Sequence, residues 1–546
     1  MSRTRFVVVT GGVLSGLGKG VATASIGRLL SNGKRIITIK CDGYLNVDPG
    51  TMNPIEHGEV FVLEDGGETD MDFGHYERFL GVACRSDWNL TSGKVFNRII
   101  EKERRGDFLG KTIQIFPHII NEITQWWHEL AEREKADIVM IEIGGTIGDV
   151  ENSWFTEAAR QLKRQHGDDV VYVHLTYVPF LDSVGEPKTK PAQRDVALLR
   201  EKGISPDIIL ARSKMPIPSK IKEKLAMFCD ISPLQIVSAH DIECIYELPL
   251  IFHAEGLLHT IGPRLGIGQP DLTQWRRLVE RIKSPRHSVT IAIGGKYTEL
   301  RDSYASIIEA LNHAGAHADT RVKLKWVEST DIEQGKCSAG EALADVDALL
   351  VPGGFGSRGT EGKIELIRHA REQCIPYLGI CYGLQLAVVE YARNACGLQG
   401  ANSTEIDPET PHPVVDILPE QHGIDKKGGT MRLGAYEAVL QAGSVVSKLY
   451  GSRKAVERHR HRYEVNPAYH EKLTSAGMSL SGTSPNGRLA EFIELPGHPY
   501  FVATQAHNEL TSRLERPNPL FAGFVDAALK KHTTTQERVF SVEAKI

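Results

Sequence analysis

Cys381 stands in PYLGICYGLQ, after an apolar run, between Gly379 and Gly383 and before a helical segment. Small residues on both sides permit the sharp strand-to-helix turn of a nucleophile elbow, and the N-terminus of the following helix favours a thiolate and an oxyanion. A thiol used in this way needs a base, and the base needs a group that orients it. FVATQAHNE supplies both: if strand geometry continues through this segment, His507 and Glu509 project to the same side, so that Glu509 holds the imidazole while His507 takes the proton of Cys381. The loop VPGGFG presents backbone without side chains, and the N–H groups of Gly354 and Tyr382 are the expected donors to an oxyanion. Taken together these residues predict a cysteine-dependent amidase.

A second constellation lies near the N-terminus. GGVLSGLGKG, from Gly11 to Gly20, falls between an apolar run and a helical pattern, where backbone N–H groups and a helix N-terminus can surround phosphate oxygens and Lys19 adds a point charge. It departs from the strict phosphate-loop pattern, because Val13 occupies the first glycine position and Gly20 stands where a metal-binding Ser or Thr belongs. Two carboxylates are candidates to make good that hydroxyl. Asp72 lies in ETDMD, and Glu142 ends the run DIVMIE; hard oxygen ligands at the ends of parallel strands suit Mg²⁺. Lys188, Lys190 and Gln193 in KTKPAQ, together with Lys40 after another apolar run, add donors for a polyphosphate and a transferring phosphoryl group.

The elements needed to position these groups repeat a pattern. Apolar runs at 6–10, 36–39, 137–142, 170–175 and 207–210 alternate with helical segments, and a fresh series begins at 288–293 and continues at 348–351, 377–380 and 501–504. Short continuous apolar strands between helices argue parallel sheets covered on both faces. The expected architecture is therefore two α/β domains with mostly parallel central sheets: 1–266, a linker with one helix at 267–287, and 288–546. A chain of 546 residues has room for both cores. Its formal charge of -5 supplies no field for nucleic acid, and no apolar stretch is long enough for a membrane span. The eight cysteines form no C-x-x-C pair, which points to a reducing, cytoplasmic setting.

LGICYGLQ with QAHNE resembles the class I glutamine amidotransferases. The segments KCDGYLNVDPGTMNPIEHGEVFVLEDGGETDMDFGHYERF, KERRGDFLG, IEIGGTIGD, KTKPAQ, ANSTE, GGTMRLG and ERHRHRYEVN, in this order, resemble the CTP synthases. The resemblance implies a ligase in which an N-terminal P-loop-like amidoligase domain uses Mg²⁺ and ATP to phosphorylate O4 of UTP, and ammonia from glutamine displaces the phosphate to give CTP. It places the ATP loop on Ser15, Gly16, Leu17, Gly18, Lys19 and Gly20, with Asp241 by the adenine. The phosphoryl-contacting lysines fall on Lys19 and Lys40, and the metal carboxylates on Asp72 and Glu142. Pyrimidine nucleotide contacts fall on Ser15, Lys188, Thr189, Lys190, Pro191, Ala192, Gln193 and Lys224, and the overlapping product-inhibition site on Asp149, Val150 and Glu151.

For the glutaminase domain it implies Cys381, His507 and Glu509 as the triad. Gly354, Tyr382, Gly383, Leu384, Gln385, Glu405 and Arg462 would meet glutamine or its oxyanion. It also implies an ammonia passage at His57 and Val60, and GTP activation and coupling through Arg104, Arg105, Leu109, Gly110 and Arg432. The expected partners are UTP, ATP, glutamine, CTP as product and inhibitor, GTP as activator, and further copies of the chain in a homotetramer able to form filaments. Another glutamine-dependent P-loop amidoligase and an assembly-forming protein of reduced activity are the alternatives.

Several positions depart from the family pattern. Gly16 replaces a serine, Cys41 and Gly43 stand where Leu or Ile and Pro are usual, Pro187 precedes KTK, and Asn152-Ser153-Trp154 replaces Ser-Leu-Pro. QAHNE lacks the usual proline between His507 and Glu509, which predicts a less restrained turn there.

Overall fold

A computed structural model of the chain describes residues 4–12, 14, 16–50, 52, 58–183, 185–295, 301–417 and 431–543. Two compact units emerge, one formed by 1–49 with 72–276 and the other by 50–71 with 277–546. The break at 276/277 falls inside the expected linker, whose helix spans Thr273–Lys283. The segment 50–71, which the sequence division assigns to the first domain, groups with the second unit.

The first unit is built on a seven-stranded sheet. Its strands are β1 (Arg5–Gly11), β2 (Ile36–Asp42), β3 (Asn89–Thr91), β4 (Ile138–Ile143), β5 (Val170–Tyr177), β6 (Ile208–Ser213) and β7 (Ile236–His240). They lie in the order β7-β6-β5-β1-β4-β2-β3, and every pairing is parallel. Burial on both faces explains the unbroken apolar runs: β2 and β4 are buried along their whole length. The order reverses direction at β1, so the loops after β1 and β4 open at the usual ligand crevice of a doubly wound sheet.

The second unit holds a nine-stranded sheet. Its strands are β8 (His287–Gly295), β9 (Thr320–Glu328), β10 (Ala348–Val351), β11 (Tyr377–Ile380), β12 (Arg432–Leu440), β13 (Lys454–His461), β14 (Ser479–Thr483), β15 (Ala490–Glu494) and β16 (Phe501–Thr504). The order is β9-β8-β10-β11-β16-β15-β14-β12-β13. Pairing is parallel from β9 to β16 and antiparallel from there to β13, so this sheet is mixed. The parallel strands β10, β11 and β16 end side by side, and their C-terminal ends carry the glycine loop, the elbow and the His-x-Glu segment.

The segment from 50–71 joins this unit through a hairpin, Phe61–Val62 against Glu68–Thr69. Arg458 Nη1 donates to the Val62 carbonyl at 3.1 Å and Arg460 Nε to Glu68 Oε1 at 2.8 Å. Alternation along β13 turns both arginines to the hairpin side. At Gly434, φ is +89 and an added Cβ would lie 2.6 Å from Gly66 N, so only glycine admits the hairpin this closely.

Candidate active sites

In the second unit, β11 runs into Cys381 and then directly into the helix Tyr382–Asn394. Cys381 has φ +51, the strained conformation of an elbow. Its flanking glycines are demanded by packing: a Cβ at Gly383 would overlap the Val351 carbonyl oxygen, and one at Gly379 would lie 2.9 Å from Ala503 Cβ. Strand-end and helix-start thus approach closely, and the buried thiol points where three strand ends meet.

His507 Nδ1 lies 2.7 Å from Glu509 Oε1. The route to this pair differs from the strand continuation expected of it. β16 stops at Thr504, His507 turns out of the strand at φ −98 and ψ 77, and Asn508–Thr511 form a single 3-10 turn that carries Glu509. Asn508, in the place of the usual proline, has its own restraint. Its Nδ2 donates to Tyr450 Oη at 2.7 Å, Tyr450 donates to buried Glu457 at 2.5 Å, and Thr511 and Asn518 donate to the same carboxylate at 2.7 and 2.8 Å. The turn is therefore tied at both ends, which corrects the expectation of a loose segment.

Burial alone would lower the proton affinity of His507, but Glu509 and Cys381 outweigh it and hold the imidazole well above its ordinary range. The balance favours imidazolium next to a sulfur that can carry negative charge. Cys381, His507 and Glu509 line one cavity of about 510 Å³, together with Gly353, Gly354, Gln385, Glu405 and Arg462. Glu59, Val60 and Val62 of the hairpin segment line it too, and Glu59 accepts from Ser306 Oγ at 2.5 Å. Glu405 Oε1 accepts from Gly356 N at 2.9 Å, which anchors the carboxylate beside the glycine loop.

Not every expected contact faces the cavity. Tyr382 and Leu384 are buried in the apolar core beneath the helix, and neither they nor Gly383 line this cavity. The Tyr382 hydroxyl donates to the Gly356 carbonyl at 2.9 Å and ties elbow to glycine loop. Gly353 escaped the sequence reading: a Cβ there would lie 2.8 Å from His507 Cε1, whereas one at Gly354 meets nothing nearer than 3.7 Å. The doubled glycine was the available signal. Arg432 is nearly buried, bound to Glu464 at 2.9 Å and Glu491 at 2.6 Å. Burial pushes Glu464 up to about 8 even so. As it stands Arg432 is an internal ion-pair residue, and direct contact with GTP would require it to leave two carboxylates.

In the first unit, Lys19 opens the helix Lys19–Leu30, with Gly16 at φ +75 and Gly18 at φ +87 before it. The left-handed backbone at 16 accounts for glycine where a serine is usual. Lys19 Nζ donates to the Gly145 carbonyl at 2.6 Å, and burial lowers its proton affinity. Lys40 Nζ donates to Glu142 Oε1 at 2.9 Å and also pairs with Asp72. Tyr76 Oη donates to the second Glu142 oxygen at 2.6 Å. Burial pushes Asp72 up, but Lys40 outweighs it and the carboxyl is held below its usual range. Neighbouring Asp42 is pushed by burial up to about 6.

Gly20 explains the absent hydroxyl. A Cβ at this position would overlap Asp72 Oδ1, so the carboxylate occupies the volume that a Ser or Thr side chain would need. Two carboxylates converge on one cation, the Lys40 ammonium, and this donor set of hard oxygens fits Mg²⁺. Gly43 and Asn152 depart from the family pattern together for a similar reason, since a Cβ at 43 would lie 2.6 Å from Asn152 Oδ1.

The remaining expected nucleotide residues are spread over this unit. Lys188 pairs with Glu186, Thr189 Oγ1 accepts from Gln193 Nε2 at 3.0 Å, and Lys190, Pro191 and Ala192 begin the helix Lys190–Glu201. Lys224 is exposed on the helix Ser219–Cys229, which shares an apolar cluster with Ala192 and Val196. Asp149 accepts from Thr146 N at 2.7 Å; Val150 and Glu151 are exposed. Asp241 pairs with Arg212 at 2.7 Å. Arg104 and Arg105 pair with Glu103 and Asp107 at the exposed end of the helix Ser92–Arg105, followed by exposed Leu109 and by Gly110 at φ +78. Ser15 and His57 lie outside the described residues. Among the described residues, no helix is long and apolar enough to cross a membrane.

Residues 5–267 match the family model described as CTP synthase N-terminus, and 299–527 the one described as glutamine amidotransferase class-I. The CTP synthase of Methanocaldococcus jannaschii is 52% identical over 97% of this chain and 99% of its own length. That of Carboxydothermus hydrogenoformans is also 52% identical, over 96% of this chain and 99% of its own. A solved Trypanosoma brucei CTPS glutaminase domain with bound acivicin is 37% identical, covers 44% of this chain and 94% of that one, and has a TM-score of 0.41.

Proposed function

The chain belongs to the CTP synthase family, and from that premise we propose how its residues divide the ATP-dependent, glutamine-hydrolysing amination of UTP to CTP. In the second unit the Cys381 sulfur attacks the side-chain amide carbon of glutamine. His507 receives the thiol proton and passes it to the departing nitrogen, the C–N bond breaks, and ammonia leaves behind a glutamyl thioester. Water then cleaves the thioester to glutamate and restores the thiol. Glu509 holds the imidazole through Nδ1, and the N–H groups of Gly354 and Tyr382 face the oxyanion. Glu405 matches the substrate ammonium and Arg462 its carboxylate, because both charges must be paired on leaving water.

In the first unit the γ-phosphoryl group of ATP passes to O4 of UTP. Ammonia adds at C4, the C–O bond breaks, and phosphate departs to leave CTP. Lys19 and Lys40 stabilise the transferring group, and Asp72 and Glu142 would hold Mg²⁺. When bound, the ion neutralises polyphosphate charge and orients it. Ser15 to Gly20 bind ATP phosphates and Asp241 the adenine side. Lys188 to Gln193 and Lys224 bind UTP, and Asp149 to Glu151 belong to product inhibition. Val60 lines the cavity in which ammonia is released, which supports a place for it and His57 on the ammonia route. GTP activation through Arg104, Arg105, Leu109 and Gly110, with Arg432 acting from its buried ion pairs, a homotetramer and a cytoplasmic location complete the proposal.

One observation carries the residue assignment: a thiol on an elbow, an imidazole with raised proton affinity and its carboxylate line one cavity with groups of both charges. Pure protein given UTP, ATP, Mg²⁺ and either glutamine or ammonium is expected to form CTP from both nitrogen sources. No CTP from either would overturn the reading.

A further inference from the structure

Behind the Cys381 sulfur lies a second amide that the triad does not use. Gln505 directly follows β16, is fully buried, and donates its backbone N–H to the Glu491 carbonyl at 2.9 Å. Its side-chain Nε2 lies 3.7 Å from Cys381 Sγ, and its Oε1 accepts from Gln385 Nε2 at 3.4 Å. Gln385 Nε2 also donates to the Tyr463 carbonyl at 2.9 Å.

This chain of contacts fixes which end of each amide points where. A backbone carbonyl only accepts, so the amino end of Gln385 must face Tyr463. Its second N–H then faces Gln505, whose near atom must be the carbonyl oxygen. That leaves the amino end of Gln505 directed at sulfur. Both N–H bonds of Gln385 are thereby spent, and only its Oε1 remains to meet a substrate donor.

We propose that Gln505 is a further catalytic residue of the glutaminase site, its amide N–H donating to Cys381 Sγ and holding that sulfur as a correctly aimed thiolate. The inference rests on the glutaminase reading above. Gln505 lies outside the cavity lining that contains Cys381 and His507, so the donor does not occupy the substrate's side of the sulfur. A hydrogen bond to a charged acceptor is stronger than one to a neutral acceptor, so the N–H favours thiolate over thiol. The same bond reforms at full strength when sulfur leaves the thioester, which assists the second half of the reaction.

Gln505→Met removes the donor at similar volume, and Gln505→Glu places a carboxylate against the sulfur. Iodoacetamide labelling of Cys381, followed by peptide mass spectrometry from pH 6 to 10, reads the thiolate directly. The charged and imidazole groups lining the cavity, His507, Glu509, Glu59, Lys363, Glu405, Arg460, His461 and Arg462, are common to parent and variants. Loss of one hydrogen bond to the thiolate should slow labelling near neutral pH about three- to tenfold, with the difference closing at alkaline pH. Gln505→Glu should be slower still. Glutaminase kcat should fall by about tenfold with KM little changed, because the lost contact is to the nucleophile and not to the substrate. Labelling profiles that superimpose on the parent in both variants would overturn the role of Gln505. Failure of the parent to form CTP from either nitrogen source would instead overturn the proposed function.

Discussion

In the unit that carries Cys381, each reactive group is already matched with a partner that suits its chemistry. Glu509 holds His507, Asn508 is tied through Tyr450 to Glu457, and Gly353 leaves room for the imidazole. In the unit that carries Lys19 the cations are spent internally. Lys40 lies between Asp72 and Glu142, and Lys19 is bonded to the Gly145 carbonyl. The difference follows from what the proposed chemistry asks of each site. A nucleophile and its base must be assembled before substrate arrives, since their pairing sets their protonation. A polyphosphate site must hold opposite charges close together without its ligand, and lets them satisfy one another until phosphate and metal take over.

The contrast is broken most severely at Gly20. Gly20→Val would drive a side chain into Asp72 and is expected to reduce CTP formation from glutamine and from ammonium alike to the assay background, while basal glutamine hydrolysis persists. Parallel assays of CTP and glutamate check this, and retained CTP synthesis would show that the Asp72 contact is dispensable.

Glu509→Gln keeps shape and removes charge. Glutamine-dependent turnover should fall by about 10²–10⁴. The pH profile carries the sharper signature. His507 is held above its ordinary range, so imidazolium, the proposed proton donor to the leaving nitrogen, persists until pH rises through that raised value. Without the Glu509 charge its proton affinity drops, and the alkaline limb of the glutaminase profile should move to lower pH. An unmoved limb would mean that Glu509 does not set the protonation of His507.

The two glycines of the loop separate packing from chemistry. Gly353→Ala crowds His507 and should cost glutamine-dependent turnover about 10–100-fold, since displacement of an aligned group by about 1 Å has effects of this order. Gly354→Ala should be milder, for its Cβ has space. The smallest effect is expected for Tyr450→Phe, which removes one link of the network under the Glu509 turn and should lower glutaminase kcat about two- to tenfold. Ammonia-dependent CTP formation should be unchanged in all three.

Much of this was legible in the order of residues. Short continuous apolar runs between helical segments marked the parallel strands, and LGICYGLQ identified an elbow because its glycines are required by backbone approach alone. The pairing of His507 with Glu509 was legible from spacing, but the local reason was not. Spacing of two suits a strand, and the chain reaches the same juxtaposition with a 3-10 turn whose anchors, Tyr450 and Glu457, lie far away in sequence. The absence of a hydroxyl at position 20 was visible, whereas its cause required the distance to Asp72. The docking of 50–71 on the second unit left no local signal, because a hairpin pattern does not state which distant carbonyls and carboxylates Arg458 and Arg460 will choose. The two carboxylates that hold Arg432, Glu464 and Glu491, were likewise not legible locally, since they lie 32 and 59 residues away in the chain.

The central claim is that nitrogen release and UTP activation are separate chemistries in separate units. It is tested most directly by measuring CTP formation in Cys381→Ala with saturating glutamine and, in parallel, with ammonium chloride. The predicted result is no CTP from glutamine and an ammonia-dependent rate equal to that of the parent. Equal loss of both activities, or glutamine-dependent synthesis that survives without the thiol, would contradict it.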